Sequence, residues 1–331
     1  MEHSMRLHEN EQLFRQAISA TADKLGIDVI FVEKDYWVTY ALKEIFNSKA
    51  SEYTVFKGGT SLAKCYNLID RFSEDIDLVV LKSDGDSNNR LTTKIKTIGE
   101  VVSAILPEVQ IDGITHKMGM NRKTAHSFPK LFKGNFGQVR SEIIVEATWL
   151  GYYEPYTTRQ ISTLVAEMMF KTQQDAIADE YDLMPFEVRV LEPIRTICEK
   201  IMSLVRFSYT ENPIADLGRK IRHTYDLHQL LKQKEFQEFF SSKKFDAMLL
   251  KVAADDVISF KNNNNWLQHH PKNAIIFASL DEVWNVIKDI YINNFSDLVY
   301  GGLPNEQEIY KTLELIKERL GQVDWQIDLN E

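Results

Sequence analysis

The stretch 57–80 constrains the fold most, because it joins a glycine pair to two aspartates at the spacing of a strand, a turn, a short helix and a second strand. Gly58 and Gly59 follow a short apolar run. Since neither residue carries a Cβ, the backbone can turn sharply there and approach a ligand closely. A short helix predicted at residues 62–68 would direct free N–H groups at that ligand, for which phosphate is the natural choice.

Asp75 and Asp77 begin a run of β-forming residues that extends to residue 81. Residues two apart on a strand point to the same face, so the two carboxylates should lie side by side. Such carboxylates repel each other unless a cation neutralises them, and Mg²⁺ or Mn²⁺ prefers oxygen ligands. The stretch therefore predicts a metal site beside a phosphate site. An ordinary structural turn is the alternative, because each half of the pattern is common alone.

Two blocks of this stretch resemble the first motif of the AbiEii/AbiGii toxin family, a branch of the nucleotidyltransferase superfamily. They are Lys57-Gly58-Gly59-Thr60-Ser61-Leu62 and Arg71-Phe72-Ser73-Glu74-Asp75-Ile76-Asp77-Leu78. Residues 33–39, 199–201 and 222–227 are similar to other blocks of the family, so the resemblance spans most of the first 230 residues. It implies a toxin that moves a nucleoside monophosphate from an NTP to RNA, with tRNA as the first candidate, and that is neutralised by a cognate antitoxin protein.

The resemblance also implies an α+β fold with a nucleotidyltransferase-like mixed β-sheet core flanked by helices. We place this core, with its N-terminal helices, at residues 1–192. After Pro193 the apolar residues recur at helical spacing, which predicts a helical bundle. Residues 193–331 are therefore expected to form a helical C-terminal domain that contributes to the active-site cleft.

The resemblance implies a third acid from a strand that neighbours the aspartate pair, as nucleotidyltransferases have. Glu146 lies in a β-branched run, where a carboxylate without a partner would be costly to bury. By position it is the candidate to complete a metal-binding triad with Asp75 and Asp77. Glu142, four residues earlier, faces the same side and is the second candidate. The superfamily usually has aspartate at this point.

The remaining site residues follow from the resemblance. Lys200 and Asp226 are expected in the catalytic machinery, Lys200 as a charge for the triphosphate or the departing pyrophosphate. Lys200 could instead be a solvated helix lysine, and Asp226 could pair on the helix surface with Arg222 four residues away. The residues expected to bind nucleotide phosphates are Lys57, Gly58, Gly59, Thr60, Ser61, Ser73 and Arg222.

The block Glu33-Lys34-Asp35 is expected in the first turn of a helix that begins near Val32, where Glu33 and Asp35 would complement the helix dipole. We assign it no chemical step.

The residues 116–140 contain six lysines and arginines and no acid, interleaved with Phe128, Phe132 and Phe136. This mixture suits either a polyanion with stackable bases or a solvated hairpin whose phenylalanines face the core.

The composition is that of a folded protein. The chain has 331 residues, 44% of them hydrophobic, and a formal charge of −9, which argues against a protein that coats nucleic acid over its whole surface. Cys65 and Cys198 lie in apolar segments and are expected to be buried thiols. No apolar run approaches the length of a membrane span, so the cytoplasm is the expected location.

Two other functions remain open from the residues. The same core could transfer a nucleotide to a small molecule such as an antibiotic, or it could bind NTP without catalysis and act by contact with a partner.

Overall fold

The computed structural model describes residues 5–73, 75–117, 119–134, 139–151 and 154–329 of the chain. Its strands are β1 (Thr54–Lys57), β2 (Ile76–Val80), β3 (Glu108–Val109), β4 (Asn121–His126), β5 (Ile143–Thr148), β6 (Tyr156–Ile161) and β7 (Phe186–Leu191). Its helices are α1 (Glu11–Leu25), α2 (Val29–Asn47), α3 (Gly58–Lys64), α4 (Asn88–Ser103), α5 (Leu164–Lys171), α6 (Asp175–Glu180), α7 (Pro193–Phe207), α8 (Pro213–Arg219), α9 (Ile221–Leu231), α10 (Lys234–Phe240), α11 (Lys243–Ser259), α12 (Ile275–Ala278), α13 (Leu280–Ile290) and α14 (Glu306–Leu320).

The described strands form one mixed sheet in the order β3-β4-β5-β2-β1-β7-β6. Strand β2 runs antiparallel to β1 and parallel to β5, and β5 runs antiparallel to β4. Both β2 and β5 therefore have a partner on each side, which suits their runs of buried apolar residues. The mixed sheet with flanking helices confirms the predicted α+β class.

The chain divides into two compact units. The first consists of Met1–Tyr66, Phe72–Trp149 and Tyr156–Val190 and contains the sheet. The second consists of Asn67–Arg71, Leu150–Pro155 and Leu191–Glu331 and is built from α7 to α14, with α7 packed against α9 and α11. The segment Asn67–Arg71 thus belongs to the second unit, although it lies in sequence between α3 and β2.

Helix α2 is buried on all sides, including its three consecutive charged residues Glu33, Lys34 and Asp35. The predicted helix start near Val32 is wrong, because the helix begins at Val29, where the preceding aspartate caps it. The charged block therefore lies beyond the first turn. Its side chains contact other segments of the first unit and do not serve the helix dipole.

Helix α3 begins at Gly58 itself, so the predicted helix at residues 62–68 starts too late. Gly58 has a φ of 82°, a backbone conformation that costs glycine little and other residues much. The strand β1 can therefore turn directly into the helix at this residue, and the glycine pair forms the first turn of α3.

The two cysteines are buried and free, as predicted. Within the described residues, no helix is both long enough and apolar enough to span a lipid bilayer.

Candidate active site

Four charged side chains form a row across four neighbouring strands. Lys57 of β1 lies opposite Asp77 of β2. Asp77 lies opposite Glu146 of β5, and Glu146 lies opposite Lys123 of β4. Side chains at opposite positions point to the same face of a sheet, with Cβ atoms about 5 Å apart. The row therefore places two carboxylates side by side with a lysine at each end.

Both carboxylate oxygens of Glu146 accept hydrogen bonds. Lys123 Nζ lies 2.8 Å from Glu146 Oε2, and Asn121 Nδ2 lies 2.8 Å from Oε1. Burial alone would raise the pKa of Glu146, but the lysine charge and these hydrogen bonds lower the pKa below its ordinary value. Glu146 is therefore an ionised neighbour of Asp77 at neutral pH.

Asp77 is the carboxylate that most needs a cation. Burial, followed by the charges of Glu146 and Asp75, raises the pKa of Asp77 to about 7, although Lys57 acts in the opposite direction. A Cβ atom placed on Gly58 would lie only 2.2 Å from Asp77 Oδ2. The glycine therefore makes room for this carboxylate against the first turn of α3.

Asp75 lies immediately before β2. Its Oδ1 atom is buried and accepts no hydrogen bond from the residues that the structure describes. Arg140 Nη1 is 3.6 Å from this oxygen, which is close enough for an ion pair and too far for a hydrogen bond. Asp75 thus keeps a buried oxygen that could ligate a cation.

The hydroxyls next to the glycine pair hold backbone in place. Thr60 Oγ1 donates to the carbonyl oxygen of Asp75 at 2.6 Å and lies 3.0 Å from Ser73 Oγ. Ser61 Oγ donates to the carbonyl of Gly58 at 2.9 Å. Thr60 therefore ties α3 to the residue that precedes β2, and any contact of these two residues with phosphate would come from their amides.

A second charged cluster lies in the helical unit. Asp226 of α9 is fully buried, and its two oxygens accept from Arg71 and Lys200, each at 2.7 Å. Burial alone would raise the pKa of Asp226, but Arg71 and Lys200 hold it well below its usual range. Burial and the Lys200 charge lower the pKa of His223, whose Nδ1 lies 3.4 Å from Lys200 Nζ. Neither Asp226 nor Lys200 is the solvated surface residue of the alternative interpretations.

The family model for the nucleotidyl transferase AbiEii toxin of type IV toxin–antitoxin systems matches residues 40–329, which is most of the chain. The chain belongs to this AbiEii family. As a member, it is a nucleotidyltransferase toxin of a type IV system. Its fold is similar to that of MenT4, a nucleotidyltransferase toxin from Mycobacterium tuberculosis H37Rv. The TM-score is 0.53 over 93% of this chain and 90% of MenT4, at 15% sequence identity. No curated protein sequence matches the chain.

The two aspartates of this AbiEii protein offer a donor set that suits magnesium. Among the described residues, no group of three or more histidine, cysteine, aspartate or glutamate side chains converges on a metal position. Mg²⁺ is usually held by one or two carboxylates together with substrate phosphates. Asp75 and Asp77 fit that pattern, while the oxygens of Glu146 are taken by Lys123 and Asn121. The role of Glu146 as a third ligand stays a prediction.

The basic residues of 116–140 are largely paired inside the first unit. The ion pairs are Lys117–Glu108, Lys123–Glu146, Lys130–Glu142 and Arg140–Asp75. Phe128 is buried, whereas Phe136 lies outside the described residues. This pairing favours a structural role over a polyanion surface, and it brings two cations to the predicted metal ligands.

Sequence reasoning placed Lys123 and Arg140 only in the basic stretch 116–140, and it gave Arg71 no role of its own. Lys123 could be recognised only from the strand register, since it is 23 residues away from Glu146. Arg71 lies inside the first family motif, four residues before Asp75, and that position was its one signal. The predicted residue Arg222 lies half-buried on α9.

Proposed function

We propose that this AbiEii nucleotidyltransferase uses Mg²⁺ or Mn²⁺ to move a nucleoside monophosphate from an NTP to a hydroxyl of RNA, with the acceptor end of tRNA as the first candidate. The observation that carries the metal dependence is the position of Asp77 directly opposite Glu146, close to Asp75. Adjacent carboxylates in a partly buried site repel each other, and a divalent cation removes the repulsion.

Asp75 and Asp77 are the proposed metal ligands. Among the described residues, none donates a hydrogen bond to the buried Oδ1 of Asp75, and burial together with the charges of Glu146 and Asp75 raises the pKa of Asp77. Both features fit oxygen donors for a hard divalent cation. When bound, such an ion activates the acceptor oxygen and neutralises charge on the departing pyrophosphate.

The first turn of α3 is the proposed phosphate site. The first N–H groups of a helix have no partner within the helix, and here they include the amides of Gly58, Gly59, Thr60 and Ser61. Gly58 lies against Asp77 without a side chain between them, so a phosphate could approach both the backbone and the metal ligands. Lys57 would add positive charge, and Ser73 a hydroxyl near Thr60.

Glu146 is the proposed third acid, with Glu142 as the second candidate. The register supports Glu146, because it lies directly beside Asp77 in the sheet. Glu142 lies before β5, where its Oε1 accepts a hydrogen bond from Ser141 at 2.5 Å and lies 3.7 Å from Lys130. Glu146 is therefore better placed to influence the charge at Asp77.

Family membership suggests roles for three further residues, and we propose these roles here. The residues are Lys200, Asp226 and Arg222. All three belong to residues 193–331, proposed as a helical domain that serves the active site. We assign Asp226 a positioning role, because both its oxygens are occupied by Arg71 and Lys200. Lys200 is proposed to carry charge for the polyphosphate, and Arg222 to position it or contact phosphate.

As a type IV toxin, the protein is proposed to act opposite a cognate antitoxin protein. Expression of the chain alone should slow bacterial growth, and co-expression of the neighbouring reading frame should restore it. A toxin that neither slows growth alone nor responds to that frame would contradict this part of the proposal.

The acceptor is tested by incubating the protein with each α-phosphate-labelled NTP, Mg²⁺ or Mn²⁺ and total RNA, and then sizing the labelled product. Label on RNA of tRNA length supports the proposal. Label on a small hydroxylated compound, tested in parallel, would replace RNA as the acceptor. Binding of NTP without label transfer in either metal would indicate a binding module without catalysis.

A further inference from the structure

We propose that Arg140 is a phosphate ligand of the bound nucleotide beside Asp75, and that Lys34 and Glu33 of α2 position the backbone from which Arg140 extends. This inference rests on the proposed nucleotidyl transfer. It assigns a function to the charged block of α2, which family resemblance singled out and to which no chemical step had been assigned.

Arg140 is held loosely at its charged end. Its Nη1 atom is 3.6 Å from Asp75 Oδ1, the two side chains are 37% and 27% exposed, and no described residue donates a hydrogen bond to that oxygen. A solvent-screened pair of this kind contributes little to folding. The guanidinium is therefore able to move from Asp75 to another anion at low cost.

The backbone of Arg140 is held tightly. Lys34 Nζ donates to the carbonyl oxygen of Arg140 at 2.6 Å, and Lys34 is completely buried. An ammonium group is costly to bury, so a buried lysine that holds one particular carbonyl indicates that the position of this carbonyl matters.

Glu33, the neighbour of Lys34, holds the chain upstream of Arg140. Its carboxylate oxygens accept from the N–H groups of Leu131 at 2.6 Å and Phe132 at 3.3 Å. Burial raises the pKa of Glu33 in spite of these hydrogen bonds. Glu33 and Lys34 therefore hold the backbone of the segment before β5 at two places. Glu33 holds residues 131–132, and Lys34 holds residue 140.

Asp35, the third charged residue of the block, contacts α3. Asp35 Oδ1 lies 2.6 Å from Lys64 Nζ at the end of α3, and Asp35 Oδ2 accepts from the N–H of Leu164 at 2.8 Å. Consecutive residues of α2 thus hold the segment that carries Arg140 and the helix that begins at Gly58.

Charge balance explains how Arg140 would act. Arg140 forms an ion pair with Asp75, whose Oδ1 accepts no hydrogen bond from the described residues. If Asp75 holds a divalent ion, its attraction for Arg140 would fall, and the guanidinium of Arg140 would be available to a phosphate oxygen. A planar guanidinium can bind phosphate with two parallel hydrogen bonds, which lysine cannot do.

The test is the affinity of purified full-length protein for the α,β-methylene analogues of the four NTPs in Mg²⁺, measured by calorimetry. For the analogue that the wild type binds most tightly, Arg140→Ala should weaken affinity about 10- to 100-fold, and Arg140→Lys less. Arg140→Ala leaves in place the backbone carbonyl that Lys34 holds, so the melting temperature should change by no more than about 2 °C.

Arg90→Ala is the matched control, since Arg90 also pairs with an aspartate, Asp86, and is largely exposed. It should bind like the wild type.

Lys34→Met tests the positioning role. If Lys34 acts through Arg140, the double variant should bind the analogue no more weakly than Arg140→Ala alone. Additive losses would show that Lys34 affects binding independently of Arg140 and would overturn its assigned role. If Lys34→Met does not fold, Arg140→Ala still decides the main point.

If Arg140→Ala binds the analogue as tightly as the wild type, the inference is wrong. The proposed function is tested separately, and it is still supported if Asp75→Asn loses label transfer. If the wild type binds none of the four analogues, the proposed function fails first.

Discussion

Arg71 and Asp226 form a bidentate ion pair inside the helical unit. Arg71 Nε and Nη2 each lie 2.7 Å from a different oxygen of Asp226, and the exposed fractions of the two side chains are 3% and 0%. The backbone of the preceding residue, Asp70, is also held, by Tyr225 Oη and by the N–H groups of Tyr300 and Gly301. The segment that leads toward Asp75 is thus anchored at several points in the second unit.

Asp226→Asn should destabilise the protein by about 3–5 kcal/mol, because the substitution leaves the buried charges of Arg71 and Lys200 without their anion. Denaturant unfolding monitored by circular dichroism measures the loss. Asp216→Asn is the control, since Asp216 pairs with the exposed Arg219 and should cost less than about 1 kcal/mol. Equal stability of the two variants would contradict the importance of the buried pair.

The same pair predicts the acid dependence of stability. The pKa of Asp226 is lower in the folded protein than in the unfolded chain, where it is about 4. Its contribution to the free energy of unfolding is therefore complete above about pH 5 and shrinks as the pH falls below about 4. The stability difference between the wild type and Asp226→Asn should narrow over that range. A difference that stays constant or widens on acidification would argue against a depressed pKa.

Gly58→Ala should abolish nucleotide transfer and lower stability, because its Cβ would collide with Asp77 Oδ2. Gly85→Ala provides a matched control, since Gly85 has the same φ of 82° and nothing within 4 Å of an added Cβ. Both variants should lose about 1–2 kcal/mol to backbone strain. Only Gly58→Ala should lose activity, so equal activity of the two variants would contradict a close approach of Gly58 to the site.

Glu146→Gln should lower the rate of transfer at least about 10-fold, the scale of a group that supports metal ligands. Glu142→Gln should change it less than about 3-fold, because surface changes away from the reacting groups have small effects. Rate measurements at saturating Mg²⁺ distinguish the two acids. The reverse order of effects would make Glu142 the third acid.

The fold class and the strand β2 could be predicted from the sequence because both depend on local signals. A glycine pair, a run of β-forming residues and apolar spacing at helical period lie within short windows. The free cysteines and β5 follow from the same kind of pattern. These elements form wherever local preference and burial agree.

The partners of the charges could not be predicted, because they are set by tertiary contacts. Arg71 and Asp226 are 155 residues apart, and Lys34 and Arg140 are 106 apart. The start of α2 was missed for a related reason. Glu33 and Asp35 were expected in the first turn because acids there complement the helix dipole, but each charge of the block is buried and satisfies backbone or charge from a distant segment.

The central claim is that Asp75 and Asp77 bind the metal ion that nucleotide transfer requires. The most direct measurement compares label transfer by Asp75→Asn, Asp77→Asn and Asp84→Asn, where Asp84 begins a second Asp-x-Asp in an exposed turn. The first two should lose at least about 100-fold in rate. Because Asp77→Asn removes repulsion with Glu146, its melting temperature in EDTA should be no lower than that of the wild type. Asp84→Asn should transfer normally, and full activity in Asp75→Asn and Asp77→Asn would contradict the metal site.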